Sequence, residues 1–203
     1  MLTKKQIEIL KVFKENPYKS LSFSELKREL RESSTSKLQK TIKDFKKENL
    51  INITNVGRTT LISLNFNNNK LFDYFSIFNS EFQNIPLDVL YNLQEGILKQ
   101  TEFFSLIVFG SYAKGKEKKN SDLDIAVIVE SEDVKKKIIP IINSVKRKSV
   151  NEVHDMVFTR DEFLEMLGQD EENVGKEIAR NNFVFYGLIN FYKLISKEGK
   201  WKK

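Results

Sequence analysis

Two short stretches of this 203-residue chain carry residue types and spacings suited to chemistry. Gly110-Ser111 directly follows the apolar run Phe103–Phe109, and Asp122-Leu123-Asp124 opens a second apolar run through Val129. Continuous apolar runs of this length, bounded by glycine, read as buried strands. Residues two apart on a strand share a face, so Asp122 and Asp124 point the same way. Two carboxylates on one face repel unless a cation lies between them, and hard oxygen ligands suit Mg2+ or Mn2+. Gly110 and Ser111 fall at a strand-to-helix turn, where backbone N–H groups and the helix dipole form an anion site. An anion cradle beside a two-carboxylate cation site is what a metal-bound nucleoside triphosphate requires.

Competing chemistries are weaker. Gly110-Ser-Tyr-Ala-Lys-Gly115-Lys116 follows a P-loop as far as its lysine, but Glu117 stands where a Mg2+-ligating Ser or Thr is needed, and no helix follows. The chain has no cysteine and one histidine, which removes disulfides, thiolate zinc sites and a cysteine nucleophile and leaves Ser-His-Asp hydrolysis only His154. Strand alternation turns His154 away from its neighbour Asp155, which suggests a structural role.

The arrangement of an apolar strand, Gly110-Ser111, about ten residues, then Ser121-Asp122-Leu-Asp124 inside a second strand resembles the DNA polymerase β-like nucleotidyltransferase superfamily, and within it the minimal nucleotidyltransferases. The resemblance covers roughly residues 86–195. It implies transfer of a nucleoside monophosphate, AMP from ATP above all, to an acceptor hydroxyl, with Mg2+ or Mn2+ as cofactor. It also implies a third acidic residue on a later strand. Asn151–Phe158 is the strand candidate, Asp155 takes that role and Glu152 is the weaker alternative. Asp122, Asp124 and Asp155 are thereby the expected catalytic and metal-binding residues, and Gly110, Ser111 and Ser121 the nucleotide-binding ones. Lys114 departs from the arginine many relatives carry, keeping the charge but not the forked donor geometry. Lys114, Lys116, Lys118 and Lys119 read equally as a polyphosphate attractant or a solvated loop. Minimal members often adenylylate a HEPN-type toxin, so such a toxin is an expected protein acceptor.

The elements that must position these residues follow from periodicity. A helix opened by Pro86 runs to about Lys99, with Leu90, Ile97 and Leu98 inward, and a Val134–Arg147 helix precedes the Asp155 strand. From Asp161 onward closing helices are expected, with Phe183, Gly187 and Phe191 at helical spacing; Val184–Gly187 is similar to the closing segment of minimal nucleotidyltransferases. Asn65–Asn69 is the polar break before this domain. After it, Leu71, Phe72, Phe75, Phe78 and Phe82 form an aromatic stripe, read as a linker and docking helix over 67–85. Its partner is either the second domain or a twin subunit.

Composition separates the two parts. The formal +6 of the whole chain conceals fourteen Lys/Arg against seven Asp/Glu in residues 1–66, whereas the remainder holds twenty against twenty-one. Disordered and fibrous classes are excluded by the 40% apolar content. No signal pattern or spanning apolar run is present, so a cytoplasmic protein with no membrane association is expected.

The basic third shows three short helical patterns. Thr3 caps the first, with Ile7, Leu10 and Phe13 inward and its end at Asn16-Pro17; Ser22-Phe-Ser-Glu25 is a capping box for the second, with Leu26 and Leu30 inward. Ser33–Thr35 is turn-like, Leu38, Ile42 and Phe45 define the third helix, and Ile51–Leu64 reads as a β-hairpin. This resembles a winged helix-turn-helix domain over residues 1–66. The resemblance makes the third helix a recognition helix, with Lys37, Gln39, Lys40 and Lys43 outward and Arg58 on the wing, for binding double-stranded DNA.

The fold class expected is therefore α+β in two domains, a winged helix-turn-helix followed by a small mixed-sheet nucleotidyltransferase domain (86–203) flanked by helices. The function expected is nucleotidyl transfer with an attached DNA-binding domain. The alternative is a DNA-binding regulator whose second domain only senses a nucleotide or partner. A homodimer is expected because winged helices often read two half-sites.

Overall fold

A computed structural model describes residues 2–15, 17, 19–31, 34–79, 84–119 and 121–197, and the chain divides into two compact units, one ending at Phe78 and the other beginning at Asn79. The expectations placed on Asn16, Ser33 and Phe82 lie outside the described residues.

The first unit runs α1 (Lys4–Glu15), β1 (Leu21–Ser22), α2 (Phe23–Glu29), α3 (Thr35–Lys47), β2 (Ile51–Val56), β3 (Thr59–Leu64) and α4 (Lys70–Asn79). The capping box forms as its residues dictate: Glu25 N–H donates to Ser22 Oγ, and Ser22 N–H donates to the Glu25 carboxylate at 2.8 Å. β2 and β3 make the hairpin, and the two-residue β1 adds to β3 to give an antiparallel sheet in the order β1-β3-β2. Leu10, Phe13, Leu26, Leu38, Ile42, Phe45 and Ile62 are buried, so each helix turns its apolar stripe inward. Ile9 is buried too, whereas Ile7 and Leu30 are only half-buried.

The aromatic stripe finds its partner inside this unit. The Phe66 and Phe72 rings lie 6.3 Å apart, and Lys11 and Lys14 each place Nζ 5.9 Å from the centroid of the Phe78 ring. Lys70 Nζ and Tyr74 Oη donate to Glu48 at the end of α3, at 2.6 and 3.4 Å. The helix therefore extends the first unit beyond residue 66 rather than forming part of a 67–85 linker.

The second unit runs α5 (Leu87–Leu98), β4 (Phe104–Val108), α6 (Gly110–Ala113), β5 (Leu123–Val129), α7 (Glu132–Lys148), β6 (Val153–Thr159), α8 (Arg160–Gly168), α9 (Val174–Arg180), β7 (Phe183–Tyr186) and α10 (Leu188–Lys197). Its sheet has the order β6-β5-β4-β7 and is mixed: β5 and β6 are parallel, joined by the α7 crossover, and the other pairs are antiparallel. The fold class is thus α+β with helices and mixed sheets. Leu123, Ile125, Val127 and Val129 of β5 pack with Leu90, Leu93 and Ile97 of α5 and with Ile138 and Ile142 of α7. Each such side chain contributes about 1.5–3 kcal/mol by leaving water. Alternation sends Asp124, Ala126 and Ile128 to the other face, the side of α8 and α10, where the Phe163 and Phe191 rings lie tilted with centroids 6.2 Å apart.

Three expectations are corrected here. Phe183–Tyr186 is an edge strand rather than helix, since Phe-Val-Phe-Tyr is rich in strand formers and finds a free edge at β4. Leu98 is exposed, because α5 has turned its stripe toward Leu90, Leu93 and Ile97. Phe103 is 70% exposed and precedes the strand it was expected to open. Among the described residues no helix is long and apolar enough to cross a membrane.

Candidate active site

The β4–α6 turn and the start of β5 meet at Gly110 and Asp124. Phe109 N–H donates to Asp124 O at 3.0 Å, which lashes the turn to the neighbouring strand. Gly110 has φ +67°, and a Cβ built there would stand 2.0 Å from Asp124 Oδ2. No larger residue fits without displacing the carboxylate, so glycine is demanded both by backbone conformation and by closeness. Ser111 follows in the first turn of α6, whose leading N–H groups have no partner earlier in the helix.

Asp122 and Asp124 face a common neighbour. The parallel register pairs Asp124 with His154, and residues paired across parallel strands project to the same face. His154 Nδ1 lies 3.8 Å from Asp122 Oδ2 and 3.6 Å from Asp124 Oδ1. Its Nε2 lies 3.5 Å from Glu152 Oε1, and Asp122, Glu152 and His154 bring one ligand atom each within 4.8 Å of one another. Burial pushes the Asp124 carboxyl above the ordinary carboxylate range; the negative charges of Asp122 and Glu177 push the same way, and His154 opposes them.

Asp155 is not brought to this cluster. The same register pairs it with Ile125, on the face that packs against α5 and α7, and Lys146 Nζ of α7 donates to its Oδ1. Asp155 serves instead as the partner of a lysine on the opposite side of the sheet, and His154 stands beside the two aspartates. Glu152, the weaker alternative, does reach the cluster, from the residue just before β6.

The donor set fits a divalent cation. Asp122, Glu152 and His154 offer one ligand atom each within 4.8 Å of one another, and Asp124 Oδ1 stands 3.6 Å from the same imidazole nitrogen that faces Asp122. Ligands at about 2.0–2.2 Å from one ion stand about 3–4 Å apart. Asp122 and Asp124 would hold such an ion from the start of β5, with His154 Nδ1 3.8 and 3.6 Å from their nearest oxygens.

The surrounding polar residues have defined partners. Ser121 closes its loop, its Oγ accepting from Lys118 N–H at 2.8 Å and its carbonyl accepting from Tyr112 Oη at 3.4 Å. Lys114 Nζ pairs with Glu177 at 2.6 Å, while Lys116, Lys118 and Lys119 are exposed. In the first unit, Lys37, Gln39, Lys40 and Lys43 are all exposed on α3 opposite buried Leu38, Ile42 and Phe45, and Arg58 is exposed in the β2–β3 turn.

Sequence reasoning gave His154 a structural role and passed over Glu177. The signal for His154 was its own alternation with Asp155, one of which had to face the aspartates, but the sequence does not say which. Nothing local marks Glu177, which reaches Lys114 from α9, more than sixty residues away.

Residues 93–180 match the family model of a nucleotidyltransferase domain. The matched span runs from α5 to the end of α9 and contains Gly110, Ser111, Asp122, Asp124, Glu152 and His154. No curated protein matches the chain.

Proposed function

We propose that the second unit transfers AMP from ATP to an acceptor hydroxyl, with release of pyrophosphate. The matched nucleotidyltransferase domain supports nucleotidyl transfer in general. The observation that carries the reading is the meeting of the Gly110 turn with Asp124, which supports an anion-binding backbone beside a carboxylate pair suited to a cation. The acceptor oxygen attacks the α-phosphorus, the bond from that phosphorus to the bridging oxygen of the β-phosphate breaks and its electron pair leaves with pyrophosphate, and the hydroxyl proton passes to solvent. A Mg2+ or Mn2+ ion, when bound, would neutralise the triphosphate and the leaving pyrophosphate. Asp122 and Asp124 would hold that ion, and Gly110 and Ser111 would present backbone N–H groups to the β,γ-phosphates. Little covalent chemistry falls to the side chains; positioning and charge neutralisation dominate. A partner protein such as a HEPN-type toxin is the acceptor the resemblance favours.

The test is incubation of the chain with labelled ATP, Mg2+ or Mn2+, and candidate acceptors, beside an Asp122→Ala, Asp124→Ala double variant. Transfer lost in the double variant is the expected result. The reading fails if the wild-type chain neither binds ATP with a divalent cation nor transfers label in a variant-sensitive way.

The first unit supports a second activity. Three helices, a hairpin and a third short strand are consistent with the winged helix-turn-helix resemblance, and the lysine face of α3 with Arg58 suits a phosphate backbone. The regulator reading, in which the second unit senses nucleotide without transfer, is favoured by one observation: the expected third carboxylate, Asp155, is absent from the cluster.

A further inference from the structure

We infer that His154, through Nδ1, is the third protein ligand of the cation held by Asp122 and Asp124, and that this nitrogen shifts the site's preference from Mg2+ to Mn2+. The inference deepens the nucleotidyltransferase reading and rests on it.

Three observations converge. The parallel register places His154 beside Asp124 on one face of the sheet, so the backbone itself delivers the imidazole to the aspartates. Nδ1 stands 3.6 and 3.8 Å from the two nearest carboxylate oxygens, too long for good hydrogen bonds and suited to ligands sharing one ion. On the far side of the ring Nε2 is 3.5 Å from Glu152 Oε1. A carboxylate behind a metal-ligating histidine favours the proton on that outer nitrogen, which leaves the Nδ1 lone pair aimed at the aspartates. Asp122, Glu152 and His154 bring one ligand atom each within 4.8 Å of one another, so an ion bound beside Asp122 has the imidazole within reach.

The neighbouring lysines do not supply the missing positive charge. Lys146 is paired with Asp155 on the opposite face of the sheet, and Lys114 with Glu177. His154 is 55% exposed at its side chain, so an ion reaches it without opening the fold. Mg2+ strongly prefers oxygen ligands in a near-ideal octahedron, whereas imidazole suits later divalent metals. Mn2+ accepts carboxylate oxygens and stands above Mg2+ in tolerance of a nitrogen ligand. Exchange of the expected carboxylate for imidazole also removes a negative charge, which weakens the hold on a hard ion most.

The experiment titrates MnCl2 into the full chain, with and without ATP, and follows bound Mn2+ by electron paramagnetic resonance, with pulsed measurement of directly coordinated imidazole nitrogen. Mg2+ competition gives the relative affinities. His154→Ala, His154→Asp and the off-site control Asp155→Asn are compared, with circular dichroism as the check on folding. Bound Mn2+ in the wild type should show the nitrogen signal, and Asp155→Asn should keep it. His154→Ala should lose the signal and weaken Mn2+ about 10–100-fold. His154→Asp should lose the signal, retain the ion and move the Mn2+/Mg2+ preference toward Mg2+ by about tenfold or more. Bound Mn2+ without the nitrogen signal, or an unchanged preference in His154→Asp, overturns the role of His154 and leaves the nucleotidyltransferase reading standing. Absence of divalent cation binding in the folded wild type, even with ATP, overturns both.

Discussion

The Gly110 turn offers the sharpest perturbation, because two glycines of one loop separate the effects of conformation and contact. Gly110 and Gly115 have φ of +67° and +61°, so an alanine at either bears the same left-handed strain, about 1–2 kcal/mol. The surroundings differ. A Cβ at Gly115 meets nothing within 4 Å, whereas at Gly110 it stands 2.0 Å from Asp124 Oδ2 and 2.9 Å from its Cγ. Contact distances are about 3.2–3.5 Å, so Gly110→Ala must drive the carboxylate aside by more than about 1 Å. Asp124 is anchored in β5 between Leu123 and Ile125, both fully buried, so its side chain rather than its backbone gives way. A misplacement of about 1 Å costs about 100-fold in a reaction that depends on positioning. Thermal melting should show the two variants lowered by similar amounts, a few degrees for about 1–2 kcal/mol in a chain of this size. Calorimetric titration with Mn2+ and ATP should show Gly115→Ala near wild type and Gly110→Ala weakened at least tenfold. Equal binding by the two variants would refute the argument that Gly110 is glycine for the sake of Asp124.

The other expectations concern each unit in turn. Asp155→Asn should leave binding of Mn2+ and ATP unchanged while costing about 1 kcal/mol through the unpaired Lys146, whereas Asp124→Asn should cut binding at least tenfold; calorimetry on both distinguishes them, and equal losses would return Asp155 to the site. Glu48 is held below the ordinary carboxylate range first by its hydrogen bond from Lys70, so its contribution is present above the unfolded pKa of about 4.3 and lost as pH falls through the depressed folded value. Glu48→Gln should therefore lower the melting temperature at neutral pH and have no effect at pH values below that folded pKa; a constant deficit across pH would contradict the pairing of α4 with α3. Changing Lys37, Lys40 and Lys43 together to Gln should flatten the salt dependence of duplex DNA binding, measured by fluorescence anisotropy, by about 0.9 per lost phosphate contact, or about 2.7 in all. An unchanged slope would remove α3 as the DNA-facing helix.

Local rules carried most of the architecture. The capping box at Ser22, the stripe of Leu38, Ile42 and Phe45, the hairpin around Gly57 and the two strands either side of Gly110 are written in residues no more than a few positions apart. What escaped depends on partners distant in sequence. β1 is two residues long and exists because β3 offers an edge at Ile62 and Leu61. β7 has helical spacing in Phe183, Gly187 and Phe191, but the edge of β4 claims its first turn. The aromatic stripe of α4 was visible while its partner was not, since the contacts with Lys11, Lys14 and Glu48 span 22 residues or more.

The identity of the third group at the site is a question of register, and the register has an energetic cause. β5 is apolar at Leu123 and from Ile125 to Val129, and β6 alternates only weakly, so neither strand announces which face carries the chemistry. A slip of β6 by one residue would bring Asp155 beside Asp124, as the sequence pattern invited. It would also carry Val153 and Val157 out of contact with α5 and α7 and turn His154, Met156 and Phe158 toward them. Several bonds oppose that slip. Leu123 N–H donates to Glu152 O at 2.8 Å, Lys146 holds Asp155 on the α7 side, and the Thr159–Glu162 capping box fixes the end of β6 against Lys135. The loss of buried Val153 alone costs about 1.5–3 kcal/mol, with half-buried Val157 adding to it, more than any single exposed contact returns. The core therefore selects the residue that meets Asp122 and Asp124, and the chemistry of the site follows from packing on the opposite face of the same strand.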